Sequence, residues 1–222
     1  TFPFGSSPQG IWQDVYLKTY PDVCVSDIFV KTSVREKNIK TMVNIKNTTK
    51  DTLKINIMNE VYDENKQKIL SLPLQTISIS KSEEKTFEIG KEWINPNLWS
   101  PDNPYLYCLK TIITLDGKII DELNTRFGFR EFWINGSDYY LNGNIFRLRG
   151  LDGIGGRAAT ADKVYEYYME SKESNVNSGR MHMHPSTDCS YEIADEVGLV
   201  VKDESAFYCF VNVYALDDDR LW

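Results

Sequence analysis

Five side chains late in the 222-residue sequence have the types and spacing to do chemistry together. Arg180, His182 and His184 fall at i, i+2 and i+4. On a strand that spacing puts all three on one face, with Met181 and Met183 on the other. Pro185 follows His184 and cannot donate to a ladder, which places His184 at a strand end. Further on, Leu199–Lys202 reads as a buried strand that ends in Asp203 and Glu204. If the two strands lie side by side, a cation, two imidazoles and two carboxylates surround one mouth. Two histidines could hold zinc, but a lone His-x-His is weak evidence for a metal. They could be bonded within a sheet wall, or they could line a pocket for a polar ligand.

The elements around these residues must place the strand ends together. After Gly150 the sequence has a glycine-rich loop, Asp152–Gly156, whose spacing fits neither a dinucleotide fingerprint nor a P-loop. Thr160 is a plausible N-cap. Ala161, Val164, Tyr165, Tyr168 and Met169 then form one helical stripe suited to cover a sheet. Residues 175–184 read as a strand. Ser186, Thr187 or Asp188 can cap a second helix, and Gly198 stands where a helix-terminating glycine belongs. The order is βαβαβ, which predicts parallel strands joined by right-handed crossovers.

The chain before this is different. From Asp22 to Arg130, apolar and polar residues alternate with period two in about seven short strands separated by turn residues. That is the pattern of an immunoglobulin-like sandwich. Nothing in it looks catalytic, and its Lys/Glu-rich surface reads as a solvated face. Residues 10–17 read as a further strand with no partner of its own.

Between the two regions lies Leu98–Gly150. Prolines keep Leu98–Pro104 irregular. From Tyr105, residues 105, 107, 109, 111, 113 and 115 share one strand face. Asp116-Gly117, Asn135-Gly136 and Asn142-Gly143 mark three tight turns. The ordered run LWSPDNPYLY, DG, RFGFRE, YYLNG and a short strand ending in Arg149-Gly150 resembles glycoside hydrolase family 2, which includes β-galactosidases, β-glucuronidases and β-mannosidases. The resemblance continues upstream, where Gly10–Leu17 looks like the last strand of that family's jelly-roll, sugar-binding-like domain. It continues downstream as well, where Tyr191–Val201 and Lys202-Asp203-Glu204 are similar to the family's helix-to-strand run.

The resemblance implies a mostly β fold: an Ig-like β-sandwich followed by an incomplete (β/α)8-barrel segment. It divides the chain into residues 1–21, the end of an upstream domain; 22–130, the sandwich; and 131–222, the start of a truncated catalytic barrel. Active sites of such barrels lie at the C-terminal ends of the strands. Arg180, His182, His184, Asp203 and Glu204 are accordingly expected to line a substrate pocket. Three departures from the family pattern stand out. Met183 occupies the place of the usual histidine three residues after the arginine. The loop after Gly150 lacks the usual Asn-x-His. The Glu-x-His that binds magnesium in β-galactosidases is missing after Glu204. Neither a metal site nor a cofactor is implied.

A retaining glycosidase uses two carboxyl groups, one as acid/base and one as nucleophile. In this family both are glutamates on later barrel strands, and no Asn-Glu of that context follows Glu204. A whole barrel takes about 250 residues, and roughly 75 remain after Ile145. The expectation is therefore part of a retaining enzyme for terminal β-glycosidic bonds, inactive alone, with no catalytic residue of its own. The competing readings are a non-catalytic carbohydrate-binding or spacer module, and an interaction protein with a degenerate half-barrel. Such a half-barrel exposes a parallel edge, which predicts either association into a homo-oligomer or poor order after about Ser205.

The resemblance implies a carbohydrate substrate as partner, and composition argues against two other kinds. A net charge of −7 argues against nucleic acid. No run approaches the roughly 18 apolar residues of a membrane span. Four cysteines without CxxC spacing suggest neither a disulfide framework nor a zinc site. The first residues carry no signal-peptide pattern. A bacterial periplasmic or secreted location for the parent is a family-level expectation.

Overall fold

The structure, a computed structural model, describes residues 15–152, 160–182 and 185–204. Its contacts divide the chain into two compact units, one spanning Leu17–Arg147 and the other comprising the rest of the chain. Of the strand expected at residues 10–17, residues 10–14 lie outside the described residues. Val15–Leu17 have no regular secondary structure, and Leu17 is 95% exposed.

The first unit is a two-sheet antiparallel sandwich. One sheet holds β1 (Val23–Ser33), β2 (Asn38–Asn47) and β6 (Glu84–Glu92), in the order β1-β2-β6. The other holds β3 (Leu53–Tyr62), β4 (Lys68–Ser71), β5 (Gln75–Ile79), β7 (Tyr107–Leu115) and β8 (Lys118–Phe127), ordered β4-β3-β7-β8 with β5 also paired to β3. Period-two alternation sends Ile39, Val43 and Ile45 from the first sheet and Ile55, Ile57, Val61, Leu109 and Ile113 from the second into one core. Tyr107, Leu109, Thr111 and Ile113 share the buried face of β7, as the alternation predicts. Thr111 is not an error in that pattern. Its hydroxyl donates to Asn59 Oδ1 at 2.6 Å, and Asn59 Nδ2 donates to Thr41 Oγ1 at 3.0 Å. The Thr41 hydroxyl in turn donates to the Ile89 carbonyl at 3.2 Å. This buried chain runs from one sheet to the other and leaves each of its side chains with a partner.

The run from Leu98 to Asn142 is a packing joint. Trp99 is buried, and its indole ring lies against the backbone of Gly128, where an added Cβ would meet Trp99 at 2.8 Å. Only glycine fits there. The Arg130 guanidinium stacks over the same ring at 4.4 Å. Asn142 Nδ2 donates to the Trp99 carbonyl at 2.9 Å, and the Glu131 amide donates to Asn142 Oδ1 at 2.9 Å. Glu131 also accepts from the Ser33 hydroxyl and the amides of Val34 and Arg35 through Oε2, and from Arg35 Nε through Oε1. These bonds fasten a three-stranded meander, β9 (Phe132–Asn135), β10 (Asp138–Leu141) and β11 (Asn144–Ile145), to the sandwich.

The second unit is parallel. Strands β12 (Gly150–Asp152), β13 (Ser178–Arg180) and β14 (Val200–Lys202) lie in that order, with the register Asp152↔Arg180↔Lys202. Helix α1 (Ala161–Glu173) connects the second strand to what precedes it, and α2 (Asp188–Val197) connects β13 to β14. The βαβαβ order and parallel pairing follow the helical and strand periodicities. The buried side of α1 is narrower than the expected stripe: Val164, Tyr168 and Ser171 are buried, while Tyr165 and Met169 are exposed. Gly198 ends α2 in the left-handed region, at φ 80°. β13 is shorter than the expected strand, because Asn175 takes a positive φ of 65° as the chain leaves α1 and the ladder begins only at Ser178. Among the described residues, no helix is long and apolar enough to cross a membrane.

Candidate functional site at the strand ends

The parallel register puts the C-terminal ends of β12, β13 and β14 side by side, and the chemistry gathers there. Arg180 is the last residue of β13, and Met181, buried on the opposite side, anchors it to the core. The Met181 amide donates to the Lys202 carbonyl at 2.9 Å, so the backbones stay joined one residue past the ladder. Arg180 Nε and Nη2 donate to the two oxygens of Glu204 at 2.6 and 2.9 Å, a forked pair, while Nη1 donates to Asp152 Oδ1 at 3.0 Å. One guanidinium thus clasps the ends of all three strands. The Glu204 bond is the first cause of a shift that raises the Arg180 pKa and keeps the cation charged.

Glu204 is the hub of this cluster. Besides Arg180, Lys202 Nζ stands 3.4 Å from Oε1 and His182 Nδ1 stands 3.7 Å from Oε2. The histidine contact is ionic only when the imidazole is protonated. Asp203, next in the chain, is held differently. Its Oδ1 accepts from the Tyr191 hydroxyl at 2.9 Å and from the Glu204 amide at 3.1 Å. The Tyr191 oxygen accepts from the Ser186 amide at 2.9 Å. Burial is the main cause that pushes the Tyr191 phenol up, with Asp203 adding to it and the Ser186 amide opposing.

Of the five residues expected here, Arg180, His182 and Glu204 come together at one strand end, with Asp203 beside them. His184 lies outside the described residues. His182 lies two residues past β13, so the shared strand face reaches only Arg180. Asp152, Lys202 and Tyr191 join this cluster although they are not among the five. Asp152 was legible in principle: it ends its strand as Asp203 and Glu204 follow theirs, and the βαβαβ order gives the three equivalent places.

The arrangement, a guanidinium forked onto one carboxylate with a second carboxylate held beside it, is suited to binding polar groups. Among the described residues, no group of three or more His, Cys, Asp or Glu side chains is placed to hold a metal. On the sandwich, a pocket of ≈230 Å³ is lined by residues including Trp93, Ile94, Pro96 and Phe129, with Lys37 as its one charged side chain.

Comparison with known proteins covers both units. A match to Glycosyl hydrolases family 2 spans residues 23–130, and a match to that family's TIM barrel domain spans residues 128–219. The chain belongs to glycoside hydrolase family 2. It is 31% identical over 208 residues to a β-galactosidase of Priestia megaterium, covering 88% of this chain and 20% of that protein. A family 2 glycosyl hydrolase structure from Bacteroides cellulosilyticus superposes with a TM-score of 0.76 at 26% identity, over 91% of this chain and 28% of the other. A structure of Bacteroides uniformis β-glucuronidase 2, covalently bound to cyclophellitol-6-carboxylate aziridine, shares the fold with a TM-score of 0.72 at 21% identity, over 85% of this chain and 25% of that one. The chain therefore spans 20% to 28% of the length of these three relatives. Within family 2, the sandwich and the first barrel strands are what this chain contains.

Proposed function

We propose that this chain is the supporting sandwich and the first pocket-forming strands of a retaining glycosidase that acts on terminal β-glycosidic bonds, β-galactosidase-like in chemistry. In this reading residues 1–21 end an upstream domain, 22–130 form the support and 131–222 begin the catalytic barrel. Arg180, His182, His184, Asp203 and Glu204 line the sugar-binding mouth. The acid/base and nucleophile carboxyls belong to later strands, so the chain by itself binds without turnover. In the whole protein the acid/base protonates the leaving oxygen while the nucleophile forms a glycosyl-enzyme intermediate, which water then hydrolyses with retention.

The observation that carries this reading is the Asp152–Arg180–Glu204 clasp at the C-terminal ends of three parallel strands, the end where barrel enzymes keep their sites. The whole protein should hydrolyse aryl β-glycosides with net retention, read from the anomer formed first by proton NMR. Net inversion, or no turnover of any aryl β-glycoside by the whole protein, contradicts it.

A further inference from the structure

We infer that Tyr191 is a positioning residue for Asp203: its hydroxyl fixes one carboxylate oxygen so that the other is offered to a hydroxyl of the bound sugar. The inference rests on the glycosidase reading above and specifies what one acid in the mouth recognises.

Tyr191 belongs to α2 and packs against the core of the second unit, so its ring is set by packing. Its hydroxyl stands where two bonds meet. It receives the Ser186 amide and therefore points its own hydrogen at Asp203 Oδ1. Burial and the neighbouring carboxylate both keep the phenol protonated, so it remains a donor. With the Glu204 amide as a second donor, Oδ1 is held twice and the carboxylate cannot rotate freely. Oδ2 takes part in none of the described hydrogen bonds, and Asp203 is exposed.

An ionised carboxylate oxygen accepts and never donates. It therefore suits a sugar hydroxyl and repels a sugar carboxylate. The cations nearby do not offset this. Arg180 is matched by Asp152 and Glu204, and Lys202 faces Glu204. This corner of the mouth selects a neutral pyranoside over a uronide.

The test uses the whole protein, with neutral aryl β-glycosides and aryl β-uronides assayed well below the unfolding temperature. Tyr191→Phe is expected to raise KM for the neutral glycoside about tenfold with kcat within about twofold, because binding common to ground and transition states is lost. Asp203→Asn places an amide donor where Oδ2 was and is expected to narrow the neutral-to-uronide ratio of kcat/KM. The double variant should be no worse than Asp203→Asn alone. A Tyr191→Phe protein with lowered Tm but unchanged KM makes the tyrosine merely structural and overturns the inference. So does a wild-type preference for uronides. Should Tyr191→Phe not fold, Asp203→Asn decides by itself: an unchanged ratio overturns the inference. A wild-type protein that cleaves neither class overturns the glycosidase reading, and the inference falls with it.

Discussion

The sandwich and the barrel start use polar side chains in opposite ways. In the sandwich, Asn59, Thr41 and Thr111 are buried and spend their hydrogen bonds on one another and on the Ile89 carbonyl. Glu131 likewise closes on Ser33, Val34 and Arg35. In the barrel start, the charged groups gather at one edge of the sheet, and Asp203 keeps an exposed oxygen. The first region satisfies its polar groups to fix a shape. The second fixes them to present a surface. The motifs most specific to the family, around Trp99 and Gly128, turn out to be packing devices of the first kind. Sequence specificity and chemical role are therefore separate properties here.

That contrast can be broken by substitution. The largest effect should come from Trp99→Ala, which removes a fully buried ring and should cost the sandwich about 3–5 kcal/mol. Thermal or urea unfolding of this chain reads it, and a loss under about 1 kcal/mol contradicts the joint described here. Arg180→Ala belongs to the other region. In the whole protein it should lower kcat/KM about 100-fold, equivalent to about 2.7 kcal/mol, while the sandwich unfolds as before. An Arg180→Ala enzyme of normal activity would remove the clasp from the site. Gly128→Ala should destabilise by about 1–3 kcal/mol, since its Cβ must push Trp99 aside.

Acid sharpens the comparison further. Burial tends to raise the Glu131 carboxyl, but bonds from the Arg35 side chain and amide and from Ser33 outweigh it and hold the pKa below the ordinary glutamate value of 4.5. A lowered folded pKa means that this stabilisation is present above 4.5 and is lost as pH falls through the folded value. The sandwich should therefore weaken in that acid window, and Glu131→Gln should flatten the dependence in pH-resolved unfolding. The smallest effect should come from the exposed Lys110–Glu122 pair, 3.0 Å apart on the outer face. Lys110→Ala should shift stability by less than about 0.5 kcal/mol.

Much of this was legible in the sequence because it is local. Alternation in β2, β3 and β7 marks the buried faces, Asp116-Gly117 turns with both φ positive, and Gly198 caps α2. The residues alone put His184, Asp203 and Glu204 at strand ends, whereas the observed strand already ends at Arg180. What the sequence hid is what depends on register and on packing between elements. Nothing local says that Arg180 reaches Asp152, 28 residues away, because that contact exists only once β12 and β13 pair in parallel. Tyr165 and Met169 fit a helical stripe by spacing, yet Val164 and Tyr168 are the ones buried, in a cluster that includes Ile193, Ala194 and Val197 of α2. Tyr191 carries no local mark of its contact, because its partner Asp203 lies across a turn and a strand.

The most direct test of the account is to assay purified residues 1–222 beside the whole protein on the same aryl β-glycosides. The account predicts rapid hydrolysis by the whole protein and none by this chain, since it proposes that the strand ends bind sugar while the catalytic carboxyls stand on later strands. Hydrolysis by residues 1–222 that survives dialysis and repurification would contradict it and would place a working acid and nucleophile within this chain.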